Sequence, residues 1–247
     1  MVTIHCGNVT FPNIQAIIFD KDGTLEDSED YQRNLGYKRA RLIDAQIPGI
    51  SEPLLMAFGI EGNKINPRGL MRVGSRKENE IAAAAYIAET GRDWIESLAI
   101  AHQAFNDADQ YLKNAPPSPL FVGCLTVLNS LSQAGLKLAI LSAATTNEVE
   151  NFVQRHELEK YFQVTMGVDS TTLTKPDPAL FLQACAKLAV DPAYTLMVGD
   201  SLADIEMAKK AHAAGCIAIS WKHTDTSHFQ SADVVISHLD QLLIDNC

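Results

Sequence analysis

The sequence has little that is basic. Lys and Arg total 20 against 30 Asp and Glu, giving a formal net charge of −10 at pH 7. The cations occur singly or in short groups such as Lys38, Arg39 and Arg41. An acidic chain repels phosphate backbones and anionic lipid surfaces unless it carries a local basic patch. None is present, so neither nucleic acid nor membrane is expected as a partner. Cysteine is scarce too. Cys6, Cys124, Cys185, Cys216 and Cys247 are widely spaced and form no Cys-x-x-Cys pair. That argues against a disulfide framework or a zinc site, and for reduced thiols in a reducing compartment. Long apolar runs are also missing: Ile14–Phe19 is too short to cross a bilayer and ends at an aspartate. No secretory leader pattern, internal repeat or low-complexity tract is read. The expected location is the cytoplasm.

What is present is a large apolar fraction, 47% of 247 residues. That is enough for one sizeable α/β domain, or for one carrying a smaller inserted domain. Short, near-continuously apolar runs recur at Ala16–Phe19, Leu136–Leu141, Val164–Val168, Leu196–Val198, Cys216–Ile219 and Val234–Ile236. Such runs suit strands covered on both faces, as in a parallel sheet. Helical patterns lie between them, at Glu148–Leu158, Pro178–Leu188 and Leu202–Ala214. Thr145 with Glu148, and Ser201 with Asp204, read as capping boxes. Asp177 before Pro178 reads as an N-cap with proline at the first helical position, and Gly215 as a helix stop. Alternating strands and helices predict an α/β fold, a doubly wound parallel sheet.

The stretch from about Ser28 to Pro117 differs, since it holds no convincing strand. Asp30–Gln46, Lys77–Thr90 and Asp93–Lys113 read as helices, with Gly59–Gly74 a loop or broken helix. Pro116, Pro117 and Pro119 form a stiff return linker. The expected division is a core of 1–27 and 118–247 interrupted by a helical module of 28–117.

Four local patterns carry chemistry. The first is Phe19-Asp20-Lys21-Asp22-Gly23-Thr24-Leu25. Two carboxylates at the end of a buried strand repel each other, and a bound cation would relieve that cost. Alternation puts Asp20 and Asp22 on one side while the chain stays extended, with Lys21 pointing away. The same residues would also suit a surface turn. The second is Ser142, at the end of an apolar run and just before a capped helix, where a hydroxyl and backbone N–H groups can cradle phosphate. Ordinary loop chemistry places serine there as well. The third is Lys175, on a loop stiffened by Pro176, able to neutralise phosphate charge or simply to be solvated. The fourth is Gly199-Asp200-Ser201-Leu202-Ala203-Asp204. Asp200 suits a hard cation such as magnesium; Asp204 is either a ligand or a helix cap. Ligands of doubly wound sheets bind at the carboxyl ends of the strands, where these patterns would meet.

In that order and spacing the four patterns resemble the haloacid dehalogenase-like hydrolase superfamily, in particular its helical-cap members of the phosphoglycolate phosphatase and β-phosphoglucomutase type. The resemblance covers both ends of the chain and implies a Rossmann-like core with an all-helical cap inserted after the first motif. It implies that Asp20 is the nucleophile and Asp22 the general acid and base. It implies a Mg²⁺ held by the carboxylates of Asp20 and Asp200 and the backbone carbonyl of Asp22, with Asp204 nearby. Ser142 and Lys175 would grip the phosphoryl group, and Thr24 would support that loop. Two positions depart from the pattern: Lys21 stands where an apolar residue is usual, and Ala143 and Ala144 where polar residues are frequent.

Asp22 favours C–O–P chemistry, because halide needs no proton to leave. The expected activity is magnesium-dependent hydrolysis of a small phosphorylated metabolite through an aspartyl phosphate on Asp20. The alternatives are a phosphomutase and a non-catalytic phosphate-binding module. Gly74-Ser75-Arg76 in the insertion is a candidate substrate contact or a solvated helix start. The closing cap, hinged at Glu26–Glu29 and the proline linker, is expected from position alone.

Overall fold

The computed structural model describes residues 2–112, 115–169, 173–221 and 226–245. Cys247, and Lys113 at the end of one expected helix, lie outside them. The chain divides into two compact units, Met1–Asp27 with Pro119–Cys247, and Ser28–Ser118.

The first unit begins with a hairpin, β1 (Val2–Cys6) and β2 (Val9–Ile14), followed by β3 (Ala16–Phe19). The hairpin was not expected, although β1 alternates buried and half-buried residues and Gly7-Asn8 makes a two-residue connection. Pro12 is accommodated because β2 is an edge strand.

The second unit contains α1 (Glu29–Asp44), α2 (Ser51–Phe58), β4 (Ile60–Glu61), β5 (Lys64–Ile65), α3 (Leu70–Val73), α4 (Arg76–Glu89) and α5 (Trp94–Leu112). Its helices enclose a core of residues such as Leu54, Phe58, Ala84, Ile87 and Phe105. It is helical except for the small antiparallel pair β4–β5, inside the stretch expected as a loop or broken helix. The pair is too short for period-2 alternation to register in the sequence.

The first unit resumes with α6 (Cys124–Gln133), β6 (Lys137–Leu141), α7 (Thr146–Arg155), β7 (Phe162–Met166), α8 (Pro178–Leu188), β8 (Thr195–Gly199), α9 (Leu202–Lys210), β9 (Gly215–Ile219), β10 (Val234–Ile236) and β11 (Leu242–Asp245). A six-stranded sheet runs β10-β9-β8-β3-β6-β7, with every pairing parallel. A second, three-stranded antiparallel sheet runs β11-β1-β2.

Alternation along the central strands sorts side chains onto two faces. Ile17, Phe19, Leu138, Ile140, Leu196 and Val198 pack beneath α6 and α7. Ala16, Ile18, Ala139, Leu141 and Met197 pack beneath α8 and α9. Both faces are covered, so β3, β8 and β9 are buried at every residue. This is the doubly wound, Rossmann-like α/β fold that the run pattern predicts.

The helix expected over Leu202–Ala214 is shorter than its apolar pattern. It ends at Lys210, and His212 takes a left-handed φ of 55° in the turn that follows. Gly215 does not stop it. Gly215 opens β9, and a Cβ there would lie 2.4 Å from Cε1 of Phe11. The glycine is explained by the close approach of that ring, not by a helix terminus. No helix among the described residues is long and apolar enough to cross a membrane. Cys6, Cys124, Cys185 and Cys216 are free, buried thiols, and burial pushes their ionisation up to about 11 or 12.

Candidate active site

Strand register brings the motifs together. Phe19 of β3 pairs with Ile140 of β6 on one side and Val198 of β8 on the other. Asp20, Ser142 and Asp200 therefore follow the carboxyl ends of three adjacent strands. The amide of Asp20 still donates to the Val198 carbonyl at 2.9 Å, so its backbone is fixed to the sheet.

The carboxylates of Asp20, Asp200 and Asp204 each offer an oxygen within 4.8 Å of the others. Two oxygens facing each other across a magnesium ion lie about 4 Å apart, since each Mg–O distance is about 2.1 Å. An all-oxygen donor set suits a hard cation rather than zinc or copper. Lys175, itself buried, donates to Oδ1 of Asp20 and to Oδ1 of Asp204, both at 2.7 Å. Two carboxylates thus hold one ammonium, a third lies beside them, and a divalent ion would complete the charge balance.

The electrostatics follow from that crowding. Burial pushes the Asp20 carboxyl up to about 8; Lys175 opposes the rise, and Asp204, Asp200 and Asp22 add to it. For Lys175, burial favours the neutral amine, but the carboxylates of Asp20 and Asp204 outweigh it and hold the ammonium above its ordinary range.

Asp204 does two things at once. Its Oδ2 accepts from the amide and hydroxyl of Ser201 at 3.2 and 2.6 Å, closing the capping box of α9. Its Oδ1 holds Lys175. Gly199 makes room, because a Cβ there would lie 2.5 Å from the Asp204 carboxyl carbon.

The motif around Asp22 departs from the expected geometry. After Phe19 the chain leaves the sheet, and the Lys21 carbonyl accepts from the amides of Thr24, Leu25 and Glu26 at 3.4, 3.0 and 3.0 Å. In that tight loop alternation no longer applies. The Asp22 carboxylate is not part of the three-acid cluster. Lys21 does not point away from Asp22 as alternation predicts: it is 7% exposed, with its ammonium 2.7 Å from Asp22 and 2.8 Å from Glu26. Thr24 is fully buried, and its hydroxyl has no hydrogen-bond partner among the described residues.

Ser142 is buried, and its hydroxyl accepts from the Ala144 amide at 3.1 Å. The capping boxes at Thr145 and Ser201 and the Asp177 cap are all formed. The amides expected to cradle phosphate here are partly engaged: Thr145 donates to Glu148 at 2.8 Å and Thr146 to Asp169 at 2.9 Å. These hydrogen bonds from Thr146 hold the Asp169 carboxyl below its ordinary range. Asp169 follows β7 with no motif around it, so nothing in the sequence singled it out. Ser75 caps α4, and Arg76 is tied to Asp109 at 3.1 Å, Glu80 at 2.6 Å and Asn106 at 2.8 Å. The helix start is as read, but the guanidinium there is ion-paired and not simply solvated.

Over residues 14–212 the chain matches the family described as haloacid dehalogenase-like hydrolase. It belongs to that family. It is 26% identical over 229 residues to the N-acetylmuramic acid 6-phosphate phosphatase of Pseudomonas putida, covering 91% of this chain and 92% of that one. It is 28% identical over 236 residues to the phosphoglycolate phosphatase of Vibrio vulnificus, covering 95% and 97%. A crystal structure described as a predicted phosphoglycolate phosphatase from Haemophilus somnus matches with a TM-score of 0.67 at 18% identity, over 92% of this chain and 95% of that one. That last likeness bears on the fold alone. Within its family the chain is an enzyme, a phosphoric monoester hydrolase.

Proposed function

We propose that the enzyme hydrolyses a small phosphorylated metabolite in two steps at Asp20, with magnesium as cofactor. The observation that carries this reading is the group of three carboxylates with one ammonium among them, at the end of the central strand. A carboxylate oxygen of Asp20 attacks phosphorus while the bond from phosphorus to the substrate oxygen breaks. Asp22 passes its proton to that departing oxygen. Asp22 then takes a proton from water, the water oxygen attacks the aspartyl phosphate, and inorganic phosphate leaves with Asp20 restored.

Asp20 and Asp200, with the backbone carbonyl of Asp22, would hold the metal ion. When bound, Mg²⁺ supplies positive charge that keeps Asp20 ionised and offsets repulsion from an anionic substrate. Lys175 does the same from the protein side, held in place by Asp204. Ser142 and Thr24 offer hydroxyls to the phosphoryl oxygens; the unpartnered, buried hydroxyl of Thr24 supports that role. The insertion over residues 28–117 is proposed as the cap that selects the substrate.

The named activities of the two sequence relatives share one chemistry. Each acts on a phosphomonoester of a molecule that also carries a carboxylic acid. We infer the same class here, a small hydroxy acid or sugar acid phosphate. The test is an initial-rate panel with Mg²⁺ that includes phosphoglycolate, N-acetylmuramic acid 6-phosphate and neutral sugar phosphates, following free phosphate. Preference for the acid-bearing esters is expected. No phosphate release from any ester by folded protein would overturn the hydrolytic reading, and an isomeric product would favour a mutase.

A further inference from the structure

The loop that carries Asp22 is held by a second buried lysine whose role the chemistry above does not use. The loop is tight: the Lys21 carbonyl gathers the amides of residues 24 to 26, and the Gly23 amide donates to the Glu26 carbonyl at 2.9 Å. Across its two ends the Lys21 ammonium meets the Glu26 carboxylate at 2.8 Å. The same ammonium reaches Asp22 at 2.7 Å. Below, it lies 5.5 Å from the centre of the Phe152 ring of α7. Lys21 and Glu26 are each 7% exposed, so both charges are removed from water and each depends on the other.

A lone buried ammonium would be strongly unfavourable here, and an apolar residue would fill the space more cheaply. The lysine does what an apolar residue cannot, which is to fix the direction of a neighbouring carboxylate. A lysine stem is flexible, but here one donor is anchored on Glu26 and the stem is packed, leaving little freedom to the contact with Asp22.

We propose that Lys21, braced by Glu26, is a positioning residue that aims the Asp22 carboxylate at the departing oxygen. The proposal rests on Asp22 being the proton donor of the reading above. Its effect is therefore graded by how much the leaving group needs a proton. Phenol, with a pKa of about 10 as in tyrosine, needs one far more than p-nitrophenol does.

The test compares phenyl phosphate with p-nitrophenyl phosphate, two esters of nearly the same shape, for the wild type, Lys21→Met, Lys21→Arg and Asp22→Asn. Lys21→Met is expected to lower kcat/KM, which reports only the step that releases the alcohol and not the shared hydrolysis of the aspartyl phosphate, by about 100-fold for phenyl phosphate and by less than about 10-fold for p-nitrophenyl phosphate. Lys21→Arg, which can still bridge both acids, should recover part of the phenyl phosphate loss. Adding Lys21→Met to Asp22→Asn should cost no more than about 2-fold further, because the group being aimed is already gone. Equal losses on the two esters, or full additivity with Asp22→Asn, would overturn the proposal and leave Lys21 a loop brace only. If Lys21→Met does not fold, Lys21→Gln is read in the same two assays by the same criterion. Failure of the underlying reading looks different: Asp22→Asn itself would then show no leaving-group dependence.

Discussion

Two lysines with buried side chains pair with acids of the loop that leaves β3, and they are held in opposite ways. Lys175 takes its partners from across the fold: Asp20 is 155 positions away and Asp204 is 29. Lys21 takes its partners from its own loop, Asp22 next to it and Glu26 five residues on. In both cases burial favours the neutral amine, and paired carboxylates hold the ammonium above its ordinary range. The difference is in what each lysine reports. The first contact exists only when distant segments have assembled; the second is local, and joins the two ends of one turn. A buried ion pair is thus no measure of importance to the reaction. The identity of the carboxylate at its other end decides that.

The contrast can be broken or sharpened by experiment. The largest effect is expected at Asp20. Asp20→Asn should lower kcat at least 1,000-fold, on the order of the losses seen when a nucleophile is removed, with the far-ultraviolet circular dichroism unchanged. If the protein keeps its activity, the Lys175 cluster is not the reacting one. Next, Lys175→Met should cost about 100-fold to 1,000-fold in kcat. By melting, it should cost about 3–5 kcal/mol of stability, the usual penalty for removing one partner of a buried ion pair. The stability loss of Lys21→Met should be similar, so melting alone will not tell the two lysines apart, whereas rates on p-nitrophenyl phosphate will, since Lys21→Met spares that ester to within about 10-fold.

A third expectation concerns pH and metal together. The Asp20 carboxyl is raised to about 8 in the folded state, from 3.8 unfolded. For a raised group the stabilising contribution is complete below the unfolded value and is lost as pH climbs through the folded one. A cation needs the ionised form, so it competes with the proton over that interval. The rise in melting temperature on adding Mg²⁺ should be larger at about pH 8 than at about pH 6. A shift that is flat with pH would place the cation elsewhere. The smallest effect is expected at Ser201, where alanine should cost about 1 kcal/mol through the lost helix cap. If kcat falls as well, Asp204 transmits the change to Lys175.

Much of the core was legible before the structure. Ala16–Phe19 and Pro178–Leu188 were bounded as observed, because continuous Ile and Val mark a doubly covered strand and Asp-Pro marks a helix start. The three caps at Thr145, Asp177 and Ser201 were legible for the same local reason. What was not legible depended on contacts between segments far apart. The β1–β2 hairpin pairs with a strand from the far end of the chain, and beyond the end of α9 the Ala214 amide donates to the carbonyls of Pro192 and Thr195 in place of a helical partner. Within the candidate site, Asp20, Asp200 and Asp204 came together as their motifs suggested. The contact of Lys21 with Asp22 is not legible in the sequence, because strand alternation ends with β3 at Phe19 and the chain then turns. Asp169 could not be found at all, since a lone acid after a strand carries no pattern.

Asp204 uses one oxygen to wind the start of α9 and the other to anchor Lys175. The carboxylate proposed to react, near the beginning of the chain, is therefore paired with an ammonium that is itself anchored by a helix encoded more than 180 positions later. On the ribosome, a nascent chain that has released β3 but not yet this helix would lack the arrangement proposed to transfer phosphate, and two strands of the sheet, β9 and β10, emerge later still.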